Sequence, residues 1–486
     1  MSTRLAAGLL KLRSSGTRFV RSKRMEHELG NGPTMQLARW IANLSWRDLP
    51  GRTKDVARLA LFDTVGCGVY GFETPWTQTL LKWAEAGGAR GGSRVWSAEQ
   101  PRLRAADAAL VNGTAAHAFE LDDYHNAKLH PGAVVIPAAL ALAEALDASA
   151  ERLVTAIAAG YEVMIRSSLA LEPSAARLRG WHLTGACGPF GAAAAGAVLL
   201  GLDAERTAWA LGLAGTQGAG LWAFNADGAM SKRLHAGKAA HSGVLSAELA
   251  HAGFSGPTQI YEAHDGGFLK AFSDASDPAP LTHALGSKYH LDTVSIKPYS
   301  CCGSTHAYID AALELRRRLG EPWDPARPVR VGTSKVVDVQ CGFDYVPSTA
   351  LNAQMSLRYC VAAALMDGQV LPAQFSAGKM QDPALGALAG RLELEEDPAL
   401  DKLYPAHFAG WVAAKAGEEW MRVDILDPTG STAAPVDAEA ARCKFRANNP
   451  DLPVDRIAAV ALDIEHHCAS QLIDLLVPLR GERAVA

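Results

Sequence analysis

The chain has 486 residues and little charge imbalance: a fifth of the residues are charged, and the formal net charge is −4. Nucleic-acid binding usually demands a strongly basic face, so no nucleic-acid partner is expected. No uninterrupted apolar run reaches about 18 residues, so no membrane span is expected. Eight cysteines, at 67, 187, 301, 302, 341, 360, 443 and 468, contain no Cys-x-x-Cys pair. That absence removes a zinc ribbon or a redox dithiol from consideration. Cys301 and Cys302 are not expected to bridge each other, and most of the others sit in apolar stretches, as small hydrophobes do. The pattern fits a reducing compartment. Also missing are a phosphate-binding Gly-x-x-x-x-Gly-Lys-Ser/Thr loop, a His-Glu-x-x-His helix and a Gly-x-Ser-x-Gly elbow. Gly215-Thr-Gln-Gly-Ala-Gly is glycine-rich but follows no strand, so a dinucleotide site is weakly supported. No cofactor is expected.

Aromatic residues are few, at 7%, and Gly is plentiful, with 45 copies. Such a composition suits closely packed helices. Single cores stop growing at roughly 250–300 residues, so this length implies more than one. Residues 1–33 read as a separate basic extension. Arg4, Lys11, Arg13, Arg18, Arg21, Lys23 and Arg24 precede the first acid, Glu26. This is either a transit peptide or a stretch upstream of a true start at Met25 or Met35. The expected location is cytoplasmic, or mitochondrial if the segment is a transit peptide.

From residue 34 the pattern is helical. Leu37, Trp40, Ile41 and Leu44 repeat on one face, and Thr53 is a plausible N-cap for a second helix. Further runs near 104–119, 134–146, 151–170, 187–200, 204–218 and 235–252 are apolar on nearly all sides, as in the middle of a bundle. After about residue 290 the period changes. Val294 and Ile296, Val329 and Val331, Val337 and Val339, and Met421, Val423 and Ile425 alternate with polar positions and predict strands. Helical stretches near 304–319 and 354–366 lie between them. The tail, with Ile457, Val460, Ala461 and Ile464, returns to helix. The fold class is mainly α: a discontinuous helical-bundle domain (34–293 and 431–486) plus a smaller α+β lid domain (294–430).

Four segments concentrate ionisable residues in apolar surroundings. The first, residues 120 to 132, packs Glu120, Asp122, Asp123, Tyr124, His125, Lys128 and His130 into a connection between helices. Such loops on rigid scaffolds often carry function, although a solvated charged loop would look similar. His117, His125, His130, Asp122 and Asp123 could ligate a metal, but their spacing matches no common pattern, and no metal is expected. The second segment sets His182 before a small-residue helix whose free N–H groups could receive an anion. Taken alone, His182 reads better as a capping histidine packed on Trp181. The third crowds Lys232, Arg233, His235 and Lys238 at a helix start, a cluster that suits carboxylates. The fourth leads Lys297 and Cys302 toward the domain junction.

Together, Asn112-Gly, His117, Asp122-Asp123, His130-Pro131, Gly180-Trp-His and Lys297-Pro-Tyr resemble the MmgE/PrpD family over nearly everything from residue 35. The resemblance implies an active site between bundle and lid, a homodimer, and a small anionic polycarboxylate as substrate. By similarity to the decarboxylases of that family, His130, His182, Lys232, Lys297 and Tyr359 fall on active-site positions. Three positions differ: Glu120 stands for an aspartate, Tyr124 for a threonine and Cys302 for a histidine. The expected chemistry is acid/base transfer of a proton alpha to a carboxylate. His130 is the base, Tyr124 or His182 returns the proton, and Lys232, Lys297 and Arg233 hold carboxylates. Glu120, Asp122, Asp123, His235, Cys302 and Tyr359 are expected to complete the binding site. A dehydratase-like lyase is the expected outcome, with an epimerase as the alternative. The reading from another class is a non-catalytic polycarboxylate-binding or scaffold protein.

Overall fold

The structure, a computed structural model, describes residues 30–88, 90–346, 348–404 and 406–478. The basic segment expected at the N-terminus lies, up to residue 29, outside the described residues. The chain is mainly α. At the centre of the bundle, helix Ser231–His251 packs on Leu183–Leu200 and on Ala105–Ala116, and Ala150–Ala170 packs on Leu183–Leu200. Their small side chains allow the approach. At Gly237 an added Cβ would lie 2.2 Å from the Leu110 carbonyl oxygen, and at Gly113 it would lie 2.9 Å from that of Ala133. Interaxial distance follows the side chains at the contact, so Gly at a crossing lets backbones nearly touch.

Buried apolar residues form two main clusters. One runs from Met35 to Ile296 and resumes from Val436 to Leu476. The other joins Phe224 to residues between Cys301 and Val423. The second contains a four-stranded sheet in the order Glu393–Glu396, Val329–Thr333, Gly410–Ala416, Glu419–Ile425. The first pair is parallel and the other two are antiparallel. Helix His306–Leu319 packs on this sheet.

Several local expectations are corrected. Val337 and Val339 belong to helix Lys335–Cys341, not to a strand, and Ser334 caps it by accepting from the Val337 N–H. Its buried residues, Val337 and Cys341, are four apart, as a helix requires. Val294 and Ile296 join no sheet. Ser295 makes a single bridge to Tyr124, and the Ile296 N–H donates to the Gly430 carbonyl. Thr53 is not an N-cap: its helix starts at Gly51, and its hydroxyl donates to Asp292. The strand Glu393–Glu396 carries no apolar alternation to announce it. Two helices, Ala150–Ala170 and Leu183–Leu200, are long and apolar enough to cross a membrane by composition. However, 94% and 89% of those stretches are buried inside the protein.

Candidate active site

The ends of four helices converge on one cavity of about 610 Å³. Residues 120–130 connect helix Ala105–Ala116 to Gly132–Leu146, His182 precedes Leu183–Leu200, and Lys232 opens Ser231–His251. Lys297 and Cys302 arrive from the segment that leads into the second cluster. Two backbone hydrogen bonds between Tyr124 and Ser295, of 2.9 and 2.8 Å, tie the loop to the segment that leads into the second cluster. Phe119 reinforces this tie, its carbonyl accepting from Ser300 Oγ at 2.7 Å and Gln354 Nε2 at 2.9 Å. Free N–H groups at helix starts favour anionic ligands nearby.

Glu120 has a left-handed backbone, φ 57°, which is uncommon for a residue with a side chain. That conformation turns its carboxylate inward between two buried ammonium groups. Oε1 accepts from Lys232, and Oε2 accepts from Lys297 Nζ at 3.0 Å. Two buried lysines side by side would repel, and the shared carboxylate offsets this. Burial, with Lys297 and Arg233 adding, pulls Lys232 toward neutrality; the Glu120 carboxylate opposes that pull.

His130 is held as a base. Its Nδ1 lies 2.8 Å from the Asp123 carbonyl oxygen and 3.3 Å from Asp122 Oδ2, so Nδ1 carries the proton. Nε2 is then the free nitrogen on the cavity side. The same Asp122 oxygen accepts from His117 Nδ1 at 2.7 Å. Burial holds His117 down to about 3, so it stays neutral, while its two histidines help hold Asp122 ionised against the opposing effect of burial. His117, Asp122 and His130 bring their donor atoms within 4.8 Å of one another. A cation there would compete with both hydrogen bonds to one oxygen. Asp123 points elsewhere, accepting from Tyr161 Oη at 2.7 Å and from the Gly132 N–H at 2.8 Å, and burial raises it to about 7.

His182 occupies the N-cap position of Leu183–Leu200 without a side-chain capping bond, and Trp181 lies against Phe272. The His182 ring faces Trp222 and Phe224, and its Nδ1 lies 3.0 Å from that of His235. Burial first, then the surrounding histidines, keep His182 neutral. The Tyr124 ring lies over Gly303, where a Cβ would sit 3.2 Å from it. Burial raises the Tyr124 phenol, with Lys297 pulling the other way. A hydrogen bond from Cys341 leads the effects that lower the Cys302 thiol, and Gln340 Nε2 donates to its sulfur at 3.6 Å.

Of the expected residues, Glu120, Tyr124, His130, His182, Lys232, Lys297 and Cys302 all line the cavity. Asp122 and Asp123 lie behind His130 and hold it in place. The structure does not bring the other three to the cavity. Tyr359 is buried in the second cluster, donating to the Gln374 carbonyl. Arg233 is buried over Trp76 and donates to the Ala118 carbonyl. His235 stands behind His182. Sequence reasoning missed Arg177, Trp222, Val336, Val339, Tyr404 and Phe408 on the cavity wall. Nothing in their local spacing marks them.

Residues 35–281 match the MmgE/PrpD N-terminal domain, and residues 299–467 match the MmgE/PrpD C-terminal domain. A cis-aconitate decarboxylase of Aspergillus terreus is 32% identical over 394 residues, covering 76% of this chain and 80% of the relative. The cis-aconitate decarboxylase-like protein oryM of Aspergillus oryzae is 31% identical over 398 residues, 78% and 82% of the two chains. The mouse cis-aconitate decarboxylase is 29% identical over 402 residues, 80% of each.

Proposed function

The chain belongs to the MmgE/PrpD family, and from that premise we propose that it is a cofactor-independent lyase acting on a small di- or tricarboxylate. The reaction makes or breaks a C–H bond on the carbon next to a carboxylate. The observation that carries this reading is the pairing of His130, its free Nε2 facing the cavity, with the buried Lys232 and Lys297. A base beside preorganised cations suits a carbanionic intermediate, because positive groups in a dry cleft stabilise charge as it develops.

Two lyase outcomes use these parts. In dehydration, His130 Nε2 takes the α-proton and the C–H electron pair delocalises into the carboxylate held by the lysines. The β C–O bond then breaks, and Tyr124 supplies the proton that releases water. In decarboxylation, the C–C bond to the departing CO₂ breaks and leaves its electron pair on carbon. A protonated His130, supported by Asp122, then delivers the proton to that carbon. The names of the relatives favour loss of CO₂. Cys302, which stands where the decarboxylases of the family carry histidine, is the main departure from them.

The test is proton NMR in D₂O with cis-aconitate, citrate, 2-methylcitrate, malate, tartrate and iminodisuccinate, alongside CO₂ detection. An alkene product with or without CO₂ separates the two lyase outcomes. Deuterium gained without an alkene would indicate an epimerase. No conversion or exchange with any of the six would sink the reading in favour of a binding protein.

A further inference from the structure

The charges on the cavity wall are unequal. Lys128, Arg177, Lys232, Lys297 and Lys335 line it, and among the described residues Glu120 is the one acid on its lining. Glu120 is already shared by Lys232 and Lys297, and Lys128 donates to the Tyr404 hydroxyl at 2.8 Å. Arg177 differs from these. It belongs to the short helix Pro173–Leu178, and its guanidinium lies 3.6 Å over the ring of Trp222. Among the described residues, no carboxylate lies within ion-pair distance of it. The Trp222 face holds the guanidinium by a cation–π contact. Burial lowers Arg177 to about 10, with no counter-charge offsetting it.

Trp222 meets His182 edge-on, with ring centroids 5.6 Å apart. His182 lies 5.9 Å from His117, and His117 lies 4.7 Å from His130. Arg177 therefore stands beside Trp222 and His182, while Lys232 and Lys297 are engaged with Glu120. The cavity thus carries a cation beside Trp222 in addition to the lysine pair bound to Glu120.

We propose that Arg177 is a second carboxylate-binding residue, so that the substrate carries carboxylates at two ends and presents the carbon between them to His130. One carboxylate meets Lys232 and Lys297, and the other meets the planar guanidinium through two parallel N–H···O bonds. The substrate class is then a di- or tricarboxylate, and a monocarboxylate would leave Arg177 unused. This inference rests on the polycarboxylate reading of the site, but its test is a binding measurement that needs no turnover.

Calorimetric titration of tricarballylate, a saturated tricarboxylate, and of butyrate, a monocarboxylate, would be run on the wild type, Arg177→Met and Arg177→Lys. Arg177→Met should weaken tricarballylate binding roughly ten- to hundredfold, the range of a charge-assisted hydrogen-bonded pair. Butyrate binding should be unchanged. Arg177→Lys should recover part of the loss, because it restores the charge but not the planar fork. Undiminished tricarballylate binding by Arg177→Met would overturn the proposal, and so would an equal loss for both ligands, the mark of a merely structural role. Arg177-dependent binding of tricarballylate, combined with no conversion of the polycarboxylate panel, would uphold the proposal and reject the lyase reading alone.

Discussion

His130 and His125 sit five residues apart in one loop, and their hydrogen bonds give them opposite fates. His130 binds through Nδ1 and leaves Nε2 free. His125 uses both nitrogens: Nδ1 accepts the Ala127 N–H at 3.0 Å, and Nε2 lies 3.0 Å from Thr293 Oγ1. His130→Ala should lower kcat/KM by roughly 10²–10⁴, the usual worth of a positioned acid–base group, while the melting temperature stays near that of the wild type. Unimpaired turnover would remove His130 from the role. For His125 the consequence is stability. Burial holds it down to about 3 in the folded chain, against about 6.5 when unfolded. Below 6.5 the unfolded chain takes up a proton that the folded chain refuses. Stability therefore falls with acidification, by about 1.4 kcal/mol per pH unit from this residue until its folded pKa is reached. Above 6.5 both states are neutral and the contribution vanishes. Melting curves at pH 7.5 and 5.5 should show a smaller drop for His125→Gln than for wild type; equal drops would exclude His125 as a source.

Among the helices, glycine has two different meanings. Gly237 lies where Ser231–His251 crosses Ala105–Ala116, and a methyl there would meet both Leu110 O and Thr114 Oγ1 at 2.2 Å. Gly237→Ala must push the helices apart, at a cost of about 1–3 kcal/mol typical of overpacking. Lys232 and Arg233 lie about one turn earlier on the same helix, so activity should fall along with the melting temperature. Gly386, in helix Pro383–Arg391, has nothing within 4 Å of the added methyl. Gly386→Ala should instead stabilise by about 0.4–1 kcal/mol, through lost freedom of the unfolded chain. The same melting assay decides both, and a harmless Gly237→Ala would refute the close-crossing argument.

Across the whole molecule, the active-site loop depends on the chain's far end. Lys444, in helix Ala438–Asn448, donates to Asp63 Oδ1 at 2.6 Å and to the Leu121 carbonyl at 2.7 Å. Both charges are buried, and Leu121 adjoins Glu120. Lys444→Met leaves the buried Asp63 without a charged partner, with only the Cys67 thiol donating to it, and should cost about 3–5 kcal/mol. Adding Asp63→Asn removes the orphaned charge and should restore part of that stability. Thermal melts of the single and double variants would check this; a double variant no more stable than the single would contradict it.

Much of this was legible along the chain. Period-3.6 runs between residues 34 and 252 become the bundle because each helix must bury an apolar face. The alternation at Val329–Val331 and Met421–Ile425 becomes sheet. The polar residues of the 120–130 loop stand out because so many ionisable groups gather between apolar helices. Local spacing misled where a cap overrode it, as Ser334 does for Val337 and Val339. Only tertiary structure decided that Arg177 and Trp222 face the cavity while Tyr359, Arg233 and His235 do not. Periodicity reports which side of an element is apolar, but it does not report which distant element packs there. Whether a polar side chain lines a site or supports it from behind is fixed by contacts between segments as far apart as Asp63 and Lys444.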